Sequence, residues 1–257
     1  MPATRQAPVG APIWFDLSTS DADKSAQFYT ALFGWDVSDP GPDYGGYKNF
    51  LTHGAQIAGM MSNPGQQFPD GWMIYLKSEN AEKTVEAVRE AGGSVMFEAM
   101  DVVDLGRMAV VVDPSGAAVG IWQAAAMEGF EVENEPNAPV WWELHTRDFA
   151  SEVAFYESAF GWQTELTGDT DEFRYTQYAA GGAEYAGIMD ASAYLPDGVN
   201  ALWEIYIGVD DVDAAVAKAI ELGGSVVNDP EDTPYGRLAK IKDPTGATIK
   251  LRGLPLN

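Results

Sequence analysis

Glu143 and His145 stand two residues apart in PVWWELHTRD, residues 139 to 148. If this stretch is a strand, its period-two alternation turns Trp141, Glu143 and His145 to one face. A carboxylate beside an imidazole makes a general acid–base couple, because imidazole titrates near neutrality. The same pair also reads as a satisfied structural histidine, since no nucleophile motif accompanies it. The strand at 203 to 207 adds Glu204 and Tyr206 to that side, and the last strand adds Thr248, Lys250 and Arg252. Glu143, His145, Glu204 and Lys250 are thus the candidate catalytic residues. An irregular metal centre of Glu143, His145 and Glu204 is the other chemistry these types allow, suited to zinc, iron or manganese.

The elements that position them occur twice. PIWFDLSTSD at residues 12 to 21 echoes PVWWELHTRD. Here Phe15 and Leu17 face helices, leaving Trp14, Asp16 and Ser18 inward; in the echo Trp142 and Leu144 face outward. The first cavity gathers Trp14, Asp16, Met73, Tyr75, Lys77, Gly120 and Trp122, a more aromatic and less charged set than the second. Trp14, Asp16, Met73, Tyr75, Trp122, Trp141 and Tyr206 are the candidate ligand-binding residues. The competing reading is that large side chains simply fill both cavities.

Self-similarity extends along the chain. Asp21, Phe28-Tyr29 and Phe33-Gly34-Trp35 recur as Asp148, Phe155-Tyr156 and Phe160-Gly161-Trp162, and Asp113-Pro114-Ser115-Gly116 recurs as Asp243-Pro244-Thr245-Gly246. Each half reads as two βαβββ units, giving four in the chain. Ser20 or Asp21 caps the first helix and Gly34 ends it. The expected domains are 11–124 and 139–253, each able to bury its own core, joined by an exposed linker at 125–138.

That pattern resembles the vicinal oxygen chelate superfamily, the glyoxalase, bleomycin-resistance and extradiol dioxygenase group. FYTALFGW with its copy FYESAFGW, and DPSGAAVGIWQ with DPTGATIKLRG, carry the resemblance. Within the group the chain is similar to two-domain actinobacterial glyoxalase-like proteins, including a mycobacterial culture-filtrate antigen. The resemblance implies an α+β fold of tandem βαβββ units forming two curved mixed sheets. It also implies metal ligands on the first strand, the strand before the second helix and the final strand of a half. Those positions hold Trp14, Met73 and Gly120 in the first half and Trp141, Glu204 and Lys250 in the second. No metal or other cofactor is therefore expected, and glyoxalase I activity least of all. Lys250 is expected to replace the cation and neutralise Glu204, since an unpaired buried charge is costly. A lysine of depressed pKa, acting as base or Schiff-base nucleophile, is the alternative.

The expected function is sequestration of an aromatic or heterocyclic metabolite or antibiotic without the family metal. The alternative is a lyase, isomerase, hydroxylase or oxygenase acting on a small carbonyl or phenolic substrate. Composition narrows the partners. Of 257 residues 46% are hydrophobic and 21% charged, and the formal charge of −24 repels nucleic acid and anionic membranes. There is no cysteine, so disulfides and thiolate chemistry are absent. The first ten residues read as a flexible lead-in without a signal sequence, pointing to a cytoplasmic monomer or homodimer, with non-classical export open. His53 reads as a solvated turn residue, and Gly59 and Gly187 as close-approach or bulge positions. Arg107 and Arg237 are either carboxylate binders or repeated ion pairs. Tyr47, Phe68, Tyr175, Tyr178 and Tyr194 in the variable hairpins are candidates to stack on a flat ligand.

Overall fold

The computed structural model describes residues 7–170 and 172–254. Residues 1–6 of the expected lead-in, Asp171 in the TGDTDEFRYTQY hairpin, and 255–257 lie outside the described residues.

The first half runs β1 (Pro12–Thr19), α1 (Ala22–Phe33), β2 (Asp36–Ser38), a 3₁₀ turn (Pro42–Tyr44), β3 (Lys48–Thr52), β4 (Ala55–Ser62), β5 (Gly71–Lys77), α2 (Ala81–Glu90), β6 (Ser94–Val102), β7 (Gly106–Val112) and β8 (Ala118–Ala124). The second half repeats this as β9 (Pro139–Thr146), α3 (Phe149–Phe160), β10 (Thr164–Asp169), β11 (Arg174–Ala180), β12 (Ala183–Asp190), β13 (Ala201–Val209), α4 (Val212–Glu221), β14 (Ser225–Thr233), β15 (Gly236–Lys242) and β16 (Thr248–Gly253). Local chemistry sets the helix ends. The Asp21 side chain accepts from the Lys24 N–H at 3.1 Å, and Gly34 at φ 72° takes the left-handed turn that ends α1. Asp148 and Gly161 do the same for α3.

Each half forms one eight-stranded mixed sheet, in the orders β2-β3-β4-β1-β5-β8-β7-β6 and β10-β11-β12-β9-β13-β16-β15-β14. Central β1 is parallel to β4 and antiparallel to β5, and β5 is parallel to β8, so the two βαβββ units of a half meet at β1 and β5. The sheets are strongly curled. A flat eight-stranded sheet would hold its edges about 33 Å apart at ~4.8 Å per strand. In the second half, however, Phe173 in the β10–β11 hairpin and Tyr235 in the β14–β15 hairpin have ring centroids 6.3 Å apart. Each sheet is therefore a cup, its inner side lined by alternate residues.

The convex sides and the helices share one hydrophobic core spanning both halves, with α1 on α4, α2 on α3, and Phe15 edge-on to Trp142 at 5.3 Å. This corrects the expectation of two separate cores: four helices are too few to cover two sheets independently, so each half covers the other. The segment 125–138 is exposed at residues 125, 126, 128, 131 and 134–136, and anchored between and after them. Phe130 stacks on Trp142 at 5.7 Å, its N–H donates to Ile13 O at 2.8 Å, and Ala138 is fully buried. The ring of Phe130 is what draws this acidic segment inward, because apolar burial outweighs the solvation of its neighbours. The described end of the lead-in is also fixed, since the Val9 and Gly10 carbonyls accept from the Tyr178 hydroxyl and Trp162 Nε1 at 2.6 and 2.9 Å. In the mirrored contact Trp35 Nε1 donates to Asn137 O at 2.6 Å. The tryptophan of each FGW motif thus pins the chain entering the other half.

Candidate functional site

In the second cup, β9, β13 and β16 bring Trp141, Glu143, His145, Glu204, Tyr206 and Lys250 to one face, as alternation requires. Register pairs Glu143 with Glu204, Trp141 with Tyr206, and Tyr206 with Lys250. Glu143 is the centre. Its Oε2 lies 2.5 Å from His145 Nε2, accepts from the Tyr206 hydroxyl at 2.6 Å, and lies 3.9 Å from Lys250 Nζ. Lys250 Nζ also donates to Tyr206 Oη at 2.8 Å and sits 4.7 Å from that ring's centroid. Burial alone would raise the Glu143 pKa, but the His145 bond and charge, the Lys250 charge and the Tyr206 bond overcome it and hold the carboxyl at about 2. Burial first, and then the Glu143 charge, keeps Tyr206 protonated well above its ordinary range.

Glu204 has a different partner from the one expected. Lys240 Nζ on β15 donates to Glu204 Oε1 at 2.6 Å, with side chains only 13% and 6% exposed, while Lys250 serves Glu143 and Tyr206. The physical reason is register: Lys240 lies beside Lys250 across β15 and β16, so two ammonium groups enter the cup and each takes one carboxylate. Lys240 was missed because an inward residue of β15 is visible only after the strand is registered against β16.

The first cup repeats the frame without the ions. Trp14 Nε1 donates to Tyr47 Oη at 2.9 Å, whose hydroxyl reaches Asp16 Oδ2 at 3.3 Å, just as Trp141 Nε1 donates to Tyr175 Oη at 2.9 Å beside Glu143. Gly59 and Gly187 allow this, because a Cβ there would lie 1.7 and 1.9 Å from the two tyrosine oxygens. Both are close-approach glycines. Where Glu143 has His145 and Lys250, Asp16 has Ser18 and Gly120. Burial accordingly raises Asp16 to about 6 despite hydrogen bonds from Tyr75 and Tyr47. Trp122 is buried and donates to Met127 O at 2.8 Å. Tyr75 lies over Gly120, so the floor of this cup is filled.

Its rim is open and apolar. Register places Met61 beside Ser18, Met73 beside Asp16, Met108 beside Trp122, Phe97 beside Val110 and Met100 beside Met108, all on the inner face. Met61, Phe97 and Met100 are 51%, 42% and 53% exposed, and Phe68 meets Phe97 edge-on at 5.9 Å. The second cup places Asn228, Glu231, Leu238 and Lys240 on the matching strands, and Phe173 and Tyr235 bridge its mouth. Two surface hollows of about 590 and 560 Å³ are lined by neither the Glu143 nor the Asp16 cluster, one beside Asp210–Asp213, Tyr235 and Arg237, the other between α1 and β2.

Other candidates resolve into structure. Arg107 pairs with Glu82 and Asp101, and Arg237 with Asp213 and Asp232, which are the repeated ion pairs. His53 is an exposed turn residue at φ 50°. Tyr178 stacks on Trp162 at 5.0 Å, outside the cups, and Tyr194 is 65% exposed. At the positions where the family resemblance implies metal ligands stand the indoles, Met73, Gly120, an ion-paired Glu204 and an ammonium, a donor set that does not suit a divalent cation. Among the described residues no group of three or more His, Cys, Asp or Glu could hold one.

Comparison with known proteins follows this geometry. The model of the Glyoxalase/Bleomycin resistance protein/Dioxygenase superfamily matches residues 12–121 and 138–251. The anthracycline biosynthesis protein DnrV of Streptomyces peucetius is 40% identical over 264 residues, 95% of this chain and 93% of that protein. "Putative glyoxylase CFP32" of Mycobacterium bovis is 38% identical over 261 residues, 98% of this chain and 97% of that one. Among solved structures, the Mn(II)-bound glyoxalase of Novosphingobium aromaticivorans superposes with a TM-score of 0.64 at 14% identity, covering 95% of this chain and 82% of that one. The 2,3-dioxygenase LapB of Pseudomonas sp. KL28 gives 0.65 at 13% identity, covering 96% and 94%. These distant structures share the fold of tandem βαβββ units.

Proposed function

Since the chain belongs to the glyoxalase/bleomycin resistance/dioxygenase superfamily, we propose that it is a metal-independent small-molecule-binding protein that holds a flat aromatic or heterocyclic molecule in its first cup. The observation that carries this reading is the exposed inner rim of Met61, Phe97 and Met100, met by Phe68. Methionines give an adaptable apolar surface, and aromatic rings stack on a planar ligand. Exposing such a rim to water is unfavourable unless something covers it. The relative named for anthracycline biosynthesis supports a planar polycyclic ligand, as anthracyclines are such compounds. On this reading the Asp16 carboxylate, at the floor, accepts a hydrogen bond from a phenol on the ligand.

Titration with a planar hydroxyquinone, followed by tryptophan fluorescence, tests the reading. Saturable quenching is expected, and Phe97→Asp and Met100→Asp should each weaken binding about tenfold, the equivalent of ~1.4 kcal/mol. Unsaturable quenching, or affinity untouched by both substitutions, overturns it.

A second reading rests on the contact between Glu143 and His145. An imidazole oriented by a carboxylate held at about 2 is equipped for proton transfer on a small carbonyl or phenolic substrate, with Tyr206 and Lys250 beside the developing negative charge. Glu204, bound to Lys240, has no part in this step. Turnover of an enolisable ketone, followed as deuterium uptake from solvent and lost in His145→Gln, is its test; exchange no faster than in buffer sinks it.

A further inference from the structure

Glu152 on α3 is fully buried, and its Oε2 has no hydrogen-bond partner. Its Oε1 accepts from the Ser115 N–H at 2.9 Å, in the β7–β8 turn of the other half. That turn is closed by Asp113, 3% exposed, whose Oδ1 accepts from the Gly116 and Ala117 N–H groups at 2.8 Å each. Asp113 Oδ2 accepts from the hydroxyl of Tyr156, one helical turn beyond Glu152, at 3.1 Å. Two carboxyl groups thus join a helix of one half to a turn of the other.

The internal repeat supplies a control. Ser25 on α1 occupies the position equivalent to Glu152, and Asp243 that of Asp113. There Ser25 Oγ donates to Asp243 Oδ2 at 3.3 Å, and Asp243 Oδ1 accepts from the N–H groups of Thr245, Gly246 and Ala247 at 2.8, 2.9 and 3.0 Å. The two clasps share their geometry but differ by one acid.

Asp113 from the turn and Tyr156 from α3 are the titratable groups facing Glu152. Trp203 on β13 donates its indole N–H to Tyr156 Oη at 3.0 Å, Thr146 on β9 donates to Ser115 Oγ at 3.4 Å, and α2 brings apolar Val88 close to Phe155. Among the described residues no lysine, arginine or histidine pairs with either carboxyl group. Two ionised carboxylates cannot share such a site without a counter-ion.

We propose that Asp113 and Glu152 share one proton and form an alkali-labile clasp between the two halves, with Ser25 and Asp243 as its pH-insensitive counterpart. Burial, then the Asp113 charge, pushes Glu152 up to about 8, and burial raises Asp113 as well. A carboxyl raised in the folded protein contributes stability that is complete below the ordinary carboxylate range and is lost as pH rises through about 8. Opening one clasp while the other holds lets the halves pivot about the Ser25 side. This device is independent of the ligand reading.

Hydrogen exchange by mass spectrometry on the full chain, corrected for the intrinsic pH dependence, tests it between pH 6.5 and 9.5. Protection of α3 and residues 113–117 should fall by up to about tenfold per pH unit as pH rises toward about 8 and level off above it, with α1 and residues 243–247 unchanged. Glu152→Gln should abolish the fall. Glu152→Ser, which copies the Ser25 clasp, should do the same and guards against misfolding of the first variant. Equal loss on both clasps, or a fall that persists in both variants, overturns the proposal.

Discussion

Trp141 Nε1 donates to the Tyr175 hydroxyl at 2.9 Å, and Trp14 repeats the bond to Tyr47 at 2.9 Å. The tryptophan on the central strand of each half is therefore held by a tyrosine from the neighbouring hairpin, and that tyrosine reaches the carboxylate two residues further along. Close approach over a glycine makes the arrangement possible.

Gly187→Ala should expel Tyr175 from its place, since the added Cβ would lie 1.9 Å from the hydroxyl oxygen. A loss of about 1–3 kcal/mol in urea unfolding is expected, with a changed tryptophan emission. Gly59→Ala should behave alike through Tyr47; unchanged stability in both would contradict the arrangement.

Lys240, rather than Lys250, neutralises Glu204. Lys240→Met should cost roughly 3–5 kcal/mol by stranding a buried carboxylate, and adding Glu204→Leu should restore most of it. A double-mutant cycle with Lys250→Met in place of Lys240→Met should give a much smaller coupling. Equal coupling for both lysines would return Lys250 to the role expected from its family position.

The equivalent acids Asp16 and Glu143 should respond to pH in opposite senses. Glu143, held at about 2, adds stability above the ordinary carboxylate range that is lost as pH falls toward 2. Asp16, raised to about 6, favours the folded state most below its ordinary 3.8, an advantage lost as pH rises through 6. Each shift of about two units corresponds to up to ~3 kcal/mol. Urea unfolding from pH 3 to 8 should show Asp16→Asn flattening the slope between 4 and 6, and Glu143→Gln lowering stability at pH 7.

Trp162→Phe and Trp35→Phe each remove one indole bond to the carbonyl of Gly10 or Asn137. Each should cost about 1–2 kcal/mol, because a buried carbonyl loses its donor. Proteolysis should then start near the freed segment, at residues 7–11 for one variant and 130–138 for the other. Cleavage at the same site in both variants would deny them separate anchoring roles.

The sequence alone determined the repeat, the βαβββ order, the helix caps and which side of each central strand faces the cup. These are local or period-two properties, written in the spacing of Trp14 and Asp16, or of Asp21 and Gly34. Tertiary structure decided which charges meet and which half covers which core. Glu204 and Lys240 are 36 residues apart and meet only through the register of three neighbouring strands, β13, β16 and β15. Glu152 reads in the sequence as one more acid on an amphipathic helix. It becomes a buried, proton-holding group only because a turn from the other half closes over it, excluding water from a carboxyl that sequence spacing would leave solvated.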